Sequence, residues 1–137
     1  MACFLVGGAE AVAVTAVKSH VKKTEEAAGI VDADGTQITD AHETGISWTR
    51  KLSWLQTMLW GAFALLLVEH VWHGEVVPWA PFLTAMATQA DAIAMLQEIA
   101  TVGVAMAALV TAVWFVATLV ADALVKRPAR TAAADEA

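Results

Sequence analysis

The uninterrupted apolar run from Ile99 to Ala121, IATVGVAMAALVTAVWFVATLVA, limits the possible folds of this chain more than any other feature. A helix rises about 1.5 Å per residue, so about twenty apolar residues match the roughly 30 Å hydrocarbon core of a bilayer. A helix packed in water would interrupt such a run with polar residues on its solvent face. The chain is thereby directed to a membrane class. Composition agrees: 58% of the 137 residues are hydrophobic and the mean hydropathy is +0.61, against roughly 45 to 50% apolar content in soluble domains.

A second candidate span lies between Lys51 and Glu69, where no charged residue interrupts LSWLQTMLWGAFALLLV. The first apolar run, Met1 to Val17, would reach about 25 Å as a helix and carries Glu10 near its middle, so it either spans or enters partway. The expected fold is therefore an all-α integral membrane protein with three transmembrane helices and an outer amphipathic helix leading into the third span. Residues 1–17 form the first span, 18–51 an acidic solvated loop, 52–73 the second span, 74–98 an outer loop and amphipathic helix, 99–122 the third span and 123–137 a polar tail. The N-terminus has no basic leader region before its apolar run and is read as retained.

The basic residues set the expected orientation. Lys18, Lys22 and Lys23 follow the first run, Arg50 and Lys51 precede the second, and Lys126, Arg127 and Arg130 follow the third. With three spans all eight fall on one side, which the positive-inside rule makes cytoplasmic, with the N-terminus outside. A fourth span at 80–97 would break that agreement. The expected location is the cytoplasmic membrane of a bacterium or archaeon, with Trp72 and Trp79 in the outer aromatic belt and Trp48 and Trp54 in the inner one. In the outer segment, Thr84, Thr88, Asp91 and Glu98 share one helical face, and Pro81 suits a first helical position. The tail sequence TAAADEA is expected to be unstructured, and Asp122 to pair with Lys126 one turn away.

Small residues recur at every fourth position as Gly7, Ala11 and Thr15 in the first run and as Gly103, Ala107 and Thr111 in the third. Close backbone approach is a main source of helix association in lipid, so these ridges are expected to pack on each other or on another subunit. Glu10 is an ionisable group inside a span, where a charge costs several kcal/mol unless it is neutral, paired or hydrated. It points to a proton or ion path, or to a hydrogen bond with a neighbouring helix.

Chemistry concentrates in LLLVEHVWHGEVVPW, residues 65 to 79. On a helix Glu69, His73 and His70 sit at about 0°, 40° and 100° around the axis. Imidazole and carboxylate at this spacing suit a transition metal, with further ligands from Glu75 or Glu98. The same residues also suit the polar rim of a span, or a pH-dependent contact. Cys3 is the single cysteine, which excludes an internal disulfide and a four-cysteine zinc site. Haem held by this chain alone is not expected, because His70 and His73 share one helix while His20 and His42 lie in the loop. No phosphate loop, nucleophile motif or basic-aromatic surface is present, and the net charge is -6, so catalysis by the chain alone and nucleic-acid binding are not expected. The function expected from these features is that of a small non-catalytic membrane subunit. It would associate with other membrane subunits or with itself in an energy-transducing or transport assembly. The alternative is a metal-binding or proton-handling membrane protein using Glu69, His70 and His73.

Overall fold

The structure is a computed structural model and describes residues 2–126. Arg127, Arg130 and the remainder of the expected tail lie outside the described residues. The order of elements is α1 (Phe4–Ala27), α2 (Ala41–Thr44), α3 (Trp48–Trp72), a 3₁₀ turn (Thr84–Met86), α4 (Gln89–Glu98), a π-helical segment (Ile99–Gly103) and α5 (Val104–Val125). No strand occurs among the described residues. Three helices are long and apolar enough to cross a membrane: Phe4–Ala27, Trp48–Trp72 and the continuous helix Gln89–Val125.

α1 runs well past Val17, where its apolar run ends. The residues KSHVKKTEEA are polar, but most are good helix formers and none is Gly or Pro, so propagation continues to Gly29. There the chain turns at φ +69°, with the Gly29 amide donating to Glu26 O and the Ile30 amide to Glu25 O. These two bonds close the helix in the manner of a Schellman motif. α3 ends by the same device: Gly74 has φ +70°, its amide donates to Val71 O, and the Glu75 amide donates to His70 O. α4 begins at Thr88, whose hydroxyl accepts from the Asp91 amide, and not at Pro81, which lies ahead of the helix in the preceding turns. A side-chain cap with an acid three residues on is the stronger start signal, and Thr88 supplies it. α4 then enters the third long helix without a break in direction, through the π-helical turn.

The segment between α1 and α3 is more ordered than a purely solvated loop. Asp32 Oδ1 accepts from the amides of Asp34, Gly35 and Thr36, and Val31 pairs with Gln37 across the resulting turn. Val31 is buried beneath it. Gln37 ties the turn to α3 by accepting from the Ser47 amide at 2.8 Å.

α1 and α3 run antiparallel, with Gly8 against Phe63, Thr15 against Gln56 and Glu25 against the start of α3. α5 runs parallel to α1, with Gly103 against Cys3 and Val6, and Thr111 against Glu10. One core cluster comprises Ala11, Leu52, Leu55, Leu59 and Trp114; a second, at the opposite end, comprises Ala2, Phe4 and Met95. Trp54 packs on the first cluster instead of standing free at a surface, whereas Trp48, Trp72 and Trp79 are exposed. The outward faces of α3 and α5 are apolar: Leu65, Leu109 and Val116 are 76%, 64% and 58% exposed. Contiguous apolar surface of that extent suits hydrocarbon surroundings.

The two glycine contacts differ in a way that mutation reads out. A Cβ on Gly103 would lie 2.9 Å from Val6 and 3.1 Å from the backbone oxygen of Cys3, which cannot move without displacing α1. A Cβ on Gly7 would meet nothing within 4 Å. Gly103→Ala is therefore expected to destabilise the bundle by about 1–3 kcal/mol through overpacking. Gly7→Ala is expected to leave stability unchanged or slightly raised, since Gly lowers helix propensity. Thermal unfolding in detergent micelles checks the difference between the two.

Candidate functional site

The polar side chains collect at three levels of the bundle. At the end formed by the start of α1 and the finish of α3, His70 is only 2% exposed. About 100° of helical rotation separates it from Glu69, so it faces the bundle while Glu69 and His73 face outward at 55% and 63% exposure of their side chains. His70 Nδ1 lies 2.6 Å from Leu66 O and 2.9 Å from Glu69 Oε2. Both neighbours only accept, so Nδ1 carries the proton and donates. In the neutral ring Nε2 then bears the lone pair, and it sits 3.5 Å from Cys3 Sγ and 3.7 Å from Glu75 Oε2. The thiol of Cys3 is thus placed to donate to the imidazole. The Phe4 ring packs edge-on against His70 with centroids 5.1 Å apart, closing the ring off from solvent.

Glu69 bridges the two histidines, its other oxygen lying 3.5 Å from His73 Nε2. Glu98 sits within electrostatic range of Cys3. The structure therefore gathers Glu69, His70, His73, Glu75 and Glu98 at one end. It points His70 toward Cys3 and away from His73. Among the described residues no group of three or more His, Cys, Asp or Glu side chains is arranged to hold a metal ion.

At the opposite end α1 caps α3. Glu25 is buried, its Oε1 accepting from the Trp48 amide at 2.8 Å and its Oε2 from the Thr49 amide at 2.9 Å. A carboxylate here satisfies two amides that have no partner inside the helix and meets the positive end of the helix dipole. Asp122 does not rely on Lys126. Its Oδ2 takes the Lys51 ammonium at 2.5 Å and its Oδ1 accepts from the Ile46 amide at 3.2 Å. The Lys51 side chain is 7% exposed and its ammonium lies 4.7 Å from the Trp48 ring centroid. Lys51 makes the direct contact across helices in a largely buried setting, where attraction between opposite charges is stronger, while the exposed Lys126 adds its charge from farther away. Trp114 adds a buried bond from its indole N–H to Lys51 O at 2.7 Å.

The middle level carries Glu10, half-buried, with Thr111 donating to Oε1. Of the small-residue ridges, Ala11, Gly103 and Ala107 are buried within this chain, while Thr15 is exposed and accepts from Gln56 Nε2 at 2.9 Å. Lys18 in turn donates to Gln56 Oε1 at 3.0 Å. Gly7 and Gly103 line an apolar cavity of about 110 Å³ together with Cys3, Phe63, Leu66 and Ala107. The ridges on α1 and α5 thus meet each other at Gly103 and at Thr111, while Gly7 leaves a gap.

In comparisons with known proteins, no family model, curated protein or solved structure matches this chain.

Sequence reasoning missed Cys3 as the neighbour of His70, Glu25 as a cap and Lys51 as the partner of Asp122. Lone charges at the boundary of two apolar runs were a usable signal for the Lys51–Asp122 pair. Cys3 is separated from His70 by 67 positions and gave none. Since Cys3 is the chain's single thiol, the contact has a direct readout: His70→Ala is expected to speed maleimide labelling of Cys3 severalfold in intact micelles, by opening the space the ring fills.

Proposed function

We propose that this chain is a small, non-catalytic integral membrane subunit that acts by assembling with other membrane subunits or with copies of itself, in an energy-transducing or transport assembly. The supporting observation is how its polar groups are used. His70, Glu25, Lys51 and Asp122 are engaged in holding the three helices together. The outward faces of those helices are apolar and of membrane-spanning length, which is the surface that helix association in lipid uses. In this reading Cys3 and His70 lie at the outer face and Lys51 and Asp122 at the cytoplasmic face, in keeping with the distribution of basic residues. Purification in mild detergent, after membranes retain the protein through an alkaline carbonate wash, is expected to give a protein mass well above the 14.4 kDa of one chain. A stable lone monomer, or release by the wash, would overturn the proposal.

A further inference from the structure

α1 and α3 leave a groove between them that no residue of α5 lines. Thr15, Lys18, Ser19, Lys22 and Gln56 enclose about 220 Å³ there, and the wall is almost wholly the aliphatic part of these side chains. The apolar run of α1 ends at Val17 and that of α3 starts at Leu52, and the hydrogen bond between Gln56 and Thr15 sets these two boundaries side by side. Lys18 lies three residues, about 4.5 Å, beyond Thr15, and Lys22 is one turn farther on. In a bilayer the groove therefore begins at the edge of the hydrocarbon and opens into the headgroup layer.

Lys18 and Lys22 are half-buried, and both ammonium groups are held by neutral acceptors. Lys18 Nζ donates to Gln56 Oε1 at 3.0 Å and Lys22 Nζ to Ala33 O at 2.6 Å. Gln56 is itself fixed, since its Nε2 donates to Thr15 Oγ1 and that hydroxyl donates to Ala11 O. An ammonium group has three donors, so each lysine keeps two. Among the described residues neither forms an ion pair with a carboxylate, in contrast to Lys51, whose charge Asp122 meets. Asp34 feels the charge of Lys22 without pairing with it, and Glu25 is engaged by the Trp48 and Thr49 amides. Because the whole chain carries a net charge of -6, attraction for an anion at this groove is local.

We infer that the groove holds the phosphate headgroup of an anionic phospholipid. Two unneutralised ammonium groups one turn apart suit a phosphate, and an aliphatic wall that begins at the hydrocarbon edge suits the glycerol and first acyl carbons attached to it. A free phosphate would use the ammonium groups alone. A zwitterionic lipid would bring a cation of its own to a site that already has two. The inference rests on the helices crossing a membrane and not on their assembly with other chains.

Native mass spectrometry of the full chain, delipidated in mild detergent and offered phosphatidylglycerol or phosphatidylcholine with the same acyl chains, tests this. Wild type is expected to retain one phosphatidylglycerol per chain, about tenfold more tightly than phosphatidylcholine. Lys18→Gln with Lys22→Gln is expected to abolish the preference, and Lys18→Arg with Lys22→Arg to keep it. Lys23→Gln with Arg50→Gln, which removes as much charge outside the groove, is expected to keep it as well. A second readout needs no variant: amine acetylation of wild type in vesicles should be slowed severalfold at Lys18 and Lys22 by phosphatidylglycerol relative to phosphatidylcholine, while Lys23 labels alike in both. Equal affinity for the two lipids, a Gln pair that binds as wild type does, an equal loss in the Lys23 and Arg50 variant, or displacement by excess inorganic phosphate would overturn the inference. An oligomeric chain without the lipid preference would leave the assembly reading standing, whereas a monomer that binds the lipid would remove that reading alone.

Discussion

Close backbone approach between α1 and its two neighbours governs the rest of the bundle. Gly103 lets the chain at Cys3 and Val6 sit against the π-helical turn, and Gly8 receives the face of Phe63 at distances a Cβ could not share. For helices built from apolar side chains this matters more than in a soluble core. Lipid tails would solvate the separated helices as well as the helices solvate each other, so shape and hydrogen bonding carry the association. Once Gly103 is seated on Cys3, the parallel register of α1 and α5 brings Thr111 to Glu10. The antiparallel register of α1 and α3 set by Gly8 and Phe63 brings Glu25 to the first amides of α3 and His70 to Cys3. The polar contacts confirm a register that the glycines permit.

The two ends are closed by different chemistry. At one end the charges are complete within the bundle: Glu25 meets two amides, and Lys51 meets Asp122, whose other oxygen takes the Ile46 amide. Removing either member of the ion pair would leave its partner desolvated, which is why such pairs are sensitive to single substitutions even where the pair itself adds little net stability. At the other end an imidazole and a thiol meet, with carboxylates on both sides of the ring. That arrangement holds its geometry with a neutral ring, whose Nδ1–H donates to Leu66 O while Nε2 faces the thiol.

Much of the architecture was legible in the sequence because it depends on local patterns. The runs Ile99 to Ala121 and Leu52 to Val68 announce long apolar helices by length alone, and Gly74 marks the end of one of them. The extent of α1 was less legible. Reading for apolar residues ended it at Val17, whereas the backbone follows helix propensity and runs on to Ala27. Thr88 was misread in a similar way: placed on a helix face, it proved to be the cap that starts α4. The candidate site was legible as a cluster but not as a geometry. Spacing gathered Glu69, His70 and His73, yet which of them turns inward depends on where α1 lies, and nothing near residue 70 records that Cys3 and Phe4 arrive from the other end of the span.

The size of the bundle separates the two ways in which its buried polar groups can be satisfied. The cavity of about 110 Å³ between Gly7 and Gly103 is lined by apolar residues and has no polar group to hold water. His70, Lys51 and Asp122 sit near helix ends, and each finds a partner on another helix of the same chain. Glu10 is remote from both ends, and the one partner it has, Thr111, is a donor. Glu10 and Thr111 meet between α1 and α5 in the middle of the span, so that contact follows from the parallel register that Gly103 permits and not from the closure of either end.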